Sequence, residues 1–291
     1  MALIPRGVAY MLGSALAFSV MSVLVKLVGR HIPSQEIVFA RSLVTLLVTI
    51  AMLRRAGLPL WGNEKRLLLL RGLLGFGALS AFFFSLTHLP IAEATVIQYT
   101  NPIFTALLAT RFLKERTSSA VYGGAALSLI GVVLVTRPSP LLGGSASLDP
   151  LLVAVALGGA LLSAAAYTTV RRLKKEHALT IVFYVPLVST PLTIPVMAPV
   201  AVWPRGLQWL ILCAVGLVTQ VGQICLTKGI SLEPAGRATS IGYTQILFSA
   251  AFGALIFGER PPLLAWCGAS LIVSGTLLSV WRSRQADAER R

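Results

Sequence analysis

Shifting the chain by 144 positions (259 − 115) lays Glu259-Arg260 on Glu115-Arg116, Tyr243-Thr244 on Tyr99-Thr100 and Ile181-Val182-Phe183 on Ile37-Val38-Phe39. Pro90, Ala94-Thr95, Phe104, Gly124-Ala125 and Gly131 recur in the same register as Pro234, Ala238-Thr239, Phe248, Gly268-Ala269 and Gly275. One unit has been duplicated. Each copy holds an odd number of apolar stretches, so the second must cross a membrane in the opposite sense to the first. Inverted-topology repeats of this kind place a binding cavity near the bilayer midplane, where the copies meet, and support alternating access to it.

A membrane is required by composition: 56% of residues are hydrophobic and 12% charged, against roughly 25% charged in a soluble domain. Ten apolar stretches approach the roughly 20 residues of a helical span: 6 to 28, 35 to 53, 67 to 87, 92 to 113, 118 to 136, 149 to 170, 178 to 199, 206 to 229, 236 to 257 and 262 to 281. The expected fold is an all-α integral membrane protein of ten transmembrane helices in two inverted five-helix repeats, residues 1–138 and 149–291. Residues 139–148, too polar and too broken by Pro140, Gly143 and Gly144 to span, form the linker. Asp149-Pro150 then reads as an N-cap and first-turn proline. The first stretch is matched by the sixth and so belongs to the repeat, not to a cleaved leader.

Net charge is +15, yet its distribution argues against nucleic acid. Eighteen Lys and Arg fall on the side shared by both termini, in the clusters around Arg54, Lys65, Arg111, Arg171, Lys228 and Arg282, and five on the other (Lys26, Arg30, Arg137, Arg205, Arg260), with Arg41 and Arg71 near span ends set aside. Sorting by loop parity is the positive-inside rule and places both termini in the cytoplasm. A nucleic-acid stripe would not sort this way.

Cys213, Cys225 and Cys267 lie in spans without a CxxC pair, and His31, His88 and His177 in loops, so neither a metal cluster nor a catalytic dyad is expected. Gly75-Phe76-Gly77 lacks the strand and third glycine of a dinucleotide fingerprint, and no cofactor is expected. No HExxH, paired membrane aspartates or nucleophile elbow supports an enzyme. All ten Asp and Glu map to loops or helix ends. Coupling through a mid-membrane carboxylate is therefore not expected.

Uncharged polarity marks the membrane interior instead. In the fourth span Thr95, Gln98, Asn101 and Thr105 share one helix face, bordered by Tyr99; in the ninth their mates are Thr239, Gly242, Gln245 and Ser249, bordered by Tyr243. Pro102 removes a backbone donor, freeing the carbonyl of Gln98. Gln220, Gln223 and Thr227 stripe the eighth span, and the third offers Phe76, Leu79 and Phe83 at the matching positions. Two readings are open: interhelical hydrogen bonds, or a substrate cavity lined by Thr95, Gln98, Tyr99, Asn101, Thr239, Tyr243, Gln245, Gln220, Gln223 and Phe83. Lys26 and Arg41 lie toward the outer face, where they either snorkel or, for Lys26, attract an anion. The seventh span carries Pro186, Pro191, Pro195 and Pro199, too many for a straight rod.

Leu89-Pro90 with Ala92-Glu93-Ala94, then Asn101-Pro102, Leu113-Lys114-Glu115-Arg116, Gly124-Ala125 and Leu129-Ile130-Gly131-Val132-Val133 resemble the EamA repeat of the drug/metabolite transporter superfamily, and Glu259-Arg260 through Gly268-Ala269 and Gly275 resemble it again. The likeness covers nearly the whole chain and is nearest to ten-helix bacterial amino-acid exporters. It implies a cavity lined by helices 1, 3, 4, 6, 8 and 9, and export of neutral or aromatic amino acids and related small metabolites across a bacterial cytoplasmic membrane. Multidrug or phosphorylated-metabolite transport is the alternative within the superfamily. The partners expected are the lipid bilayer and a small-molecule substrate, with the chain working as a monomer.

The charge asymmetry generates a first prediction. A cysteine placed near Ser139 reacts with an impermeant maleimide added outside cells, and one near Asn63 does not; reversed labelling would invert the orientation.

Overall fold

The computed structural model describes residues 5–29, 31–89, 91–115, 118–136, 149–258 and 263–288. The linker expected over 139–148, and Arg30, Arg116, Arg137, Glu259 and Arg260, lie outside the described residues. Among the described residues there are twelve α-helices, one short 3-10 turn and no strand. They run α1 (Arg6–Val28), α2 (Ser34–Arg55), α3 (Lys65–His88), α4 (Ile91–Gln98), α5 (Asn101–Phe112), α6 (Ser119–Thr136), α7 (Pro150–Arg172), α8 (Ala178–Met197), α9 (Leu207–Leu232), α10 (Ala235–Ile241), α11 (Thr244–Phe257) and α12 (Leu263–Ala288).

Twelve helices make ten crossings because the fourth span is divided into α4 and α5 and the ninth into α10 and α11. Among the described residues seven helical segments are long and apolar enough to cross a membrane by themselves, counting Ala235–Ile256 as one; α6 and α12 contain the shorter apolar segments Ser119–Leu134 and Trp266–Ser279. The seventh span stays helical through Pro186, Pro191 and Pro195, then tightens into a 3-10 turn at Ala198–Val200. Asp149 caps α7 as its sequence suggests, its side chain accepting from Leu151 N at 2.8 Å with Pro150 in the first turn.

Packing follows the duplication. The close pair α1 and α9 (spans 1 and 8) has its counterpart in α7 and α3 (spans 6 and 3). Helices α6 and α12 (spans 5 and 10) are each other's repeat mates and pack together across the pseudo-two-fold axis. Gly124 lies against the backbone of Gly275, and Gly131 against the backbone of Gly268; adding 144 to one member and subtracting it from the other turns the first pair into the second. Ser128 donates to Ile272 O at 3.3 Å, a bond between strict mates (272 − 128 = 144). Backbone approach this close leaves no room for a Cβ, so small residues recur here because the axis passes through them. The ends of α5 and α11 repeat as well: Lys114 (φ 54°) and Gly258 (φ 67°), also 144 apart, both take the left-handed conformation that closes a helix.

At Gly275 a methyl group would strike the carbonyl oxygen of Gly124, whereas at Gly123 it would meet nothing within 4 Å. Gly275→Ala is therefore expected to cost about 1–3 kcal/mol through overpacking, lowering the melting temperature in detergent, while Gly123→Ala, with open space and a better helix former, does not lower it. Equal melts would contradict the axis contact.

Candidate functional site

The two helix interruptions, Tyr99–Thr100 and Gly242–Tyr243, fall within one residue of equivalent places in the two repeats. In the first half-span the break follows from Pro102, which cannot donate to the carbonyl of Gln98. That carbonyl is taken up by Asn101 Nδ2 at 2.8 Å, and Thr100 Oγ1 donates to Ile97 O at 2.6 Å. The ninth span has no proline at the matching position, Ile246; there Gly242, without side-chain packing of its own, ends α10, and Thr244 Oγ1 donates to Ile241 O at 2.8 Å. The breaks are joined to each other: Tyr243 Oη donates to Tyr99 O at 2.9 Å, and the two rings stack with centroids 5.8 Å apart. Ser19 on α1 donates to Gln245 O at 2.9 Å. At Gln98 O, Ile241 O and Tyr99 O, side chains thus supply bonds that the interrupted helices and lipid do not.

Next to these breaks lies a cavity of two adjoining compartments, about 250 Å³ and about 140 Å³, which share Phe18, Arg41, Gln98, Tyr167 and Gln223 among their walls. The larger compartment adds Tyr99, Asn101, Thr239 and Gln245; the smaller adds Arg71 and Ser163. Its walls come from α1, α2, α3, α4, α5, α7, α9, α10 and α11, with Val185 of α8 at the smaller compartment. Both repeats contribute, and no Asp or Glu is among the described residues that line it.

Of the residues singled out in the sequence, Gln98, Tyr99, Asn101, Thr239, Gln245 and Gln223 come together on this cavity. Five do not. Tyr243 is completely buried, its hydroxyl spent on Tyr99 O, and it stands behind the lining as part of the axis. Gln220 is turned between α9 and α2, where Thr49 Oγ1 donates to its Oε1 at 3.1 Å. Phe83 faces a different groove, with Phe76, His88 and Thr193, near the opposite end of the spans from the termini. Thr95 is partly buried on α4 outside the lining, and Lys26 is exposed in the last turn of α1, also outside it. The groove at Phe83 is larger, about 460 Å³, but its wall is mostly apolar and Phe84 is exposed beside it. The central cavity has the converging polar groups a small solute needs.

Two residues expected near span ends prove to be cavity residues. Arg41 is not at the outer interface: seven positions into α2, it contributes to both compartments. Arg71, six positions into α3, is 4% exposed and lines the smaller one. Tyr167 on α7 and Phe18 on α1 complete the walls. A lone arginine inside an otherwise apolar span was the available signal.

On the side of the termini the helix ends are tied by charge. Glu115, placed by the left-handed turn at Lys114, accepts from Arg171 Nε at 2.6 Å and from Ala235 N at 3.0 Å, while Arg171 Nη1 donates to Ser231 O at 2.6 Å. Nearby, Glu233 pairs with Arg237 one turn on. This latch joins the ends of spans 4, 6, 8 and 9. On the opposite side Glu36 accepts from Val202 N at 2.8 Å.

The profile of the EamA-like transporter family matches residues 5–137 and again 151–281. The pseudopaline exporter CntI of Pseudomonas aeruginosa is 34% identical over 273 residues, spanning 93% of this chain and 94% of its own. The S-adenosylmethionine uptake transporter of Rickettsia felis is 24% identical over 98% of this chain and 95% of its own, and human solute carrier family 35 member G1 is 29% identical over 93% and 78%. A solved crystal structure superposes with a TM-score of 0.83 at 20% identity, covering 96% of this chain and 98% of that one, a likeness of fold.

Removing the Tyr243 hydroxyl tests its placement on the axis. Tyr243→Phe keeps the ring stack and loses one neutral hydrogen bond, so stability should fall by about 0.5–1.5 kcal/mol with substrate affinity unaltered, read from detergent melts beside exchange assays. A large affinity loss at unchanged melting temperature would return Tyr243 to the binding surface.

Proposed function

Because the chain belongs to the EamA-like transporter family, we propose that it is an alternating-access exporter carrying amino acids and related small metabolites out of the cytoplasm, working as a monomer. The observation that carries this reading is the central cavity, which is walled by both repeats and adjoins both helix breaks. A site on the pseudo-two-fold axis can be exposed to either side by rocking one half-structure against the other. With the basic side in the cytoplasm, the Glu115–Arg171 latch closes the inner end and must open for substrate to enter. Outward direction is supported by the exporter from Pseudomonas aeruginosa, although relatives in the family are named for uptake too.

Amides at the walls suit polar groups of a small solute: Gln98, Asn101, Gln223 and Gln245 offer both donors and acceptors. Aromatic contact comes from Phe18, Phe82, Tyr99 and Tyr167, and Phe83 has no part in it. The arginines disfavour a cationic drug as cargo, since like charges in a poorly solvated cavity repel strongly.

Purified protein in empty liposomes should accumulate labelled amino acids against protein-free controls, and Gln245→Ala should weaken apparent affinity by about 0.5–1.5 kcal/mol without lowering the melting temperature. Opening of the inner end is tested separately. Arg171→Ala should speed modification of a cysteine placed at Ala166, on the cavity wall, by an impermeant maleimide reaching the cytoplasmic face of inside-out vesicles. The pair is partly exposed, 15% and 18%, so a bias of about 1 kcal/mol and a several-fold rate change are expected. An unchanged rate would mean that the latch does not gate the cavity.

A further inference from the structure

Arg41 and Arg71 line one small cavity, and no acid among the described residues lines it with them. Arg71 is buried, and its Nε has no hydrogen-bond partner. It fits beside Gly75, where any Cβ would press on Arg71 Nη1. The acceptor that Arg41 reaches among the described residues is a soft one, Met21 Sδ at 3.9 Å. Among the described residues neither arginine is ion-paired. The buried and partly buried acids with described side-chain bonds are committed elsewhere: Glu36 to Val202 N, Glu115 to Arg171, Glu176 to Asn63 N and Glu64 N, Glu233 to Arg237.

A buried cation without a counterion is costly, and such residues inside a membrane pair with one another or with backbone carbonyls and mark substrate pathways. What would offset the cost is a solute bringing negative charge. Arginine binds carboxylates through two parallel N–H donors, and two arginines on separate helices can take two such groups. A zwitterionic amino acid meets half of this. Its carboxylate finds an arginine, but its ammonium finds only amide and hydroxyl oxygens, with a second positive charge left over.

We infer that Arg41 and Arg71 form a two-point carboxylate site, and that the cargo is a net-anionic metabolite carrying at least two carboxylates, such as an acidic amino acid or a derivative of one. Gln98, Gln223 and Ser163 lie on the same wall to orient the remainder of the solute. This rests on the transport reading above and narrows its substrate. The repeat mates of the arginines are Val185 and Val215 (41 + 144, 71 + 144), so the charge is confined to one repeat. The solute would be bound with its anionic end against α2 and α3.

The test uses the full chain in liposomes, with four labelled probes: glutamate, its near-isosteric amide glutamine, leucine, and glycerol 3-phosphate. Wild-type protein should carry glutamate in preference to glutamine and leucine. Arg41→Gln and Arg71→Gln should each weaken apparent glutamate affinity about ten- to hundred-fold, the loss of a hydrogen bond to a charged group, and erase the preference over glutamine, with Arg71→Lys retaining part of it. Should a variant fail to fold, wild-type protein alone still decides, through a larger rise in melting temperature with glutamate than with glutamine. Equal handling of glutamate and glutamine, or unchanged glutamate affinity in variants that melt like wild type, overturns the carboxylate site while leaving amino-acid transport standing. Preference for glycerol 3-phosphate overturns the carboxylate assignment. Accumulation of none of the three amino acids overturns the transport reading together with it.

Discussion

Inside a bilayer every backbone N–H and C=O has to find its partner within the protein, and the two interrupted spans are where this chain meets that demand with least help from helix geometry. The solution is local and polar. Asn101, Thr100 and Thr244 bond to carbonyls within their own spans, Ser19 reaches across from α1, and Tyr243 reaches across the axis to Tyr99. Each of these side chains is fixed by the repair. The cavity walls beside them are accordingly preorganised, because Asn101, Tyr99 and Gln245 are held by the same bonds that keep the broken helices in place.

That double duty explains how far the sequence could be read. The duplication, the ten crossings, the cap at Asp149 and the polar faces of spans 4 and 9 follow from register, hydropathy and helical spacing, which are local properties. Rotation of a helix about its own axis is not local. Gln220 and Gln223 stand three residues apart on one stripe, yet only Gln223 looks into the cavity, because α2 packs close enough for Thr49 to claim Gln220. Phe83 mirrors Thr227 in sequence but faces outward, toward Thr193. Arg41 and Arg71 stand about two turns from a span end, a depth at which snorkelling and inward burial are equally compatible with hydropathy. Only the packing of α2 and α3 against the remainder decides between them.

Scaffold and chemistry are divided differently between the repeats. Backbone-level features obey the duplication: the glycine contacts of α6 and α12, the left-handed turns at Lys114 and Gly258, and the breaks themselves. Side chains on the cavity do not. Gln98 corresponds to Gly242, Tyr167 to Val23, Arg41 to Val185 and Arg71 to Val215. On the proposed alternating-access reading, a symmetric frame supplies two equivalent ways of rocking, and an asymmetric lining lets the solute take a single orientation in both.

Under the proposed alternating access, rocking also limits how strong the closing contacts can be. A fully buried ion pair is costly to split, about 3–5 kcal/mol when one partner is lost, and a gate built on one would tend to stay shut. The Glu115–Arg171 pair keeps some exposure on both sides, so water can re-solvate the charges as they part, and the net cost falls toward that of a surface pair, about 0–1 kcal/mol. Its backbone contacts to Ser231 and Ala235 give the closed state its geometry, while solvent access keeps the opening within reach of thermal motion and of the binding energy a solute brings to the cavity.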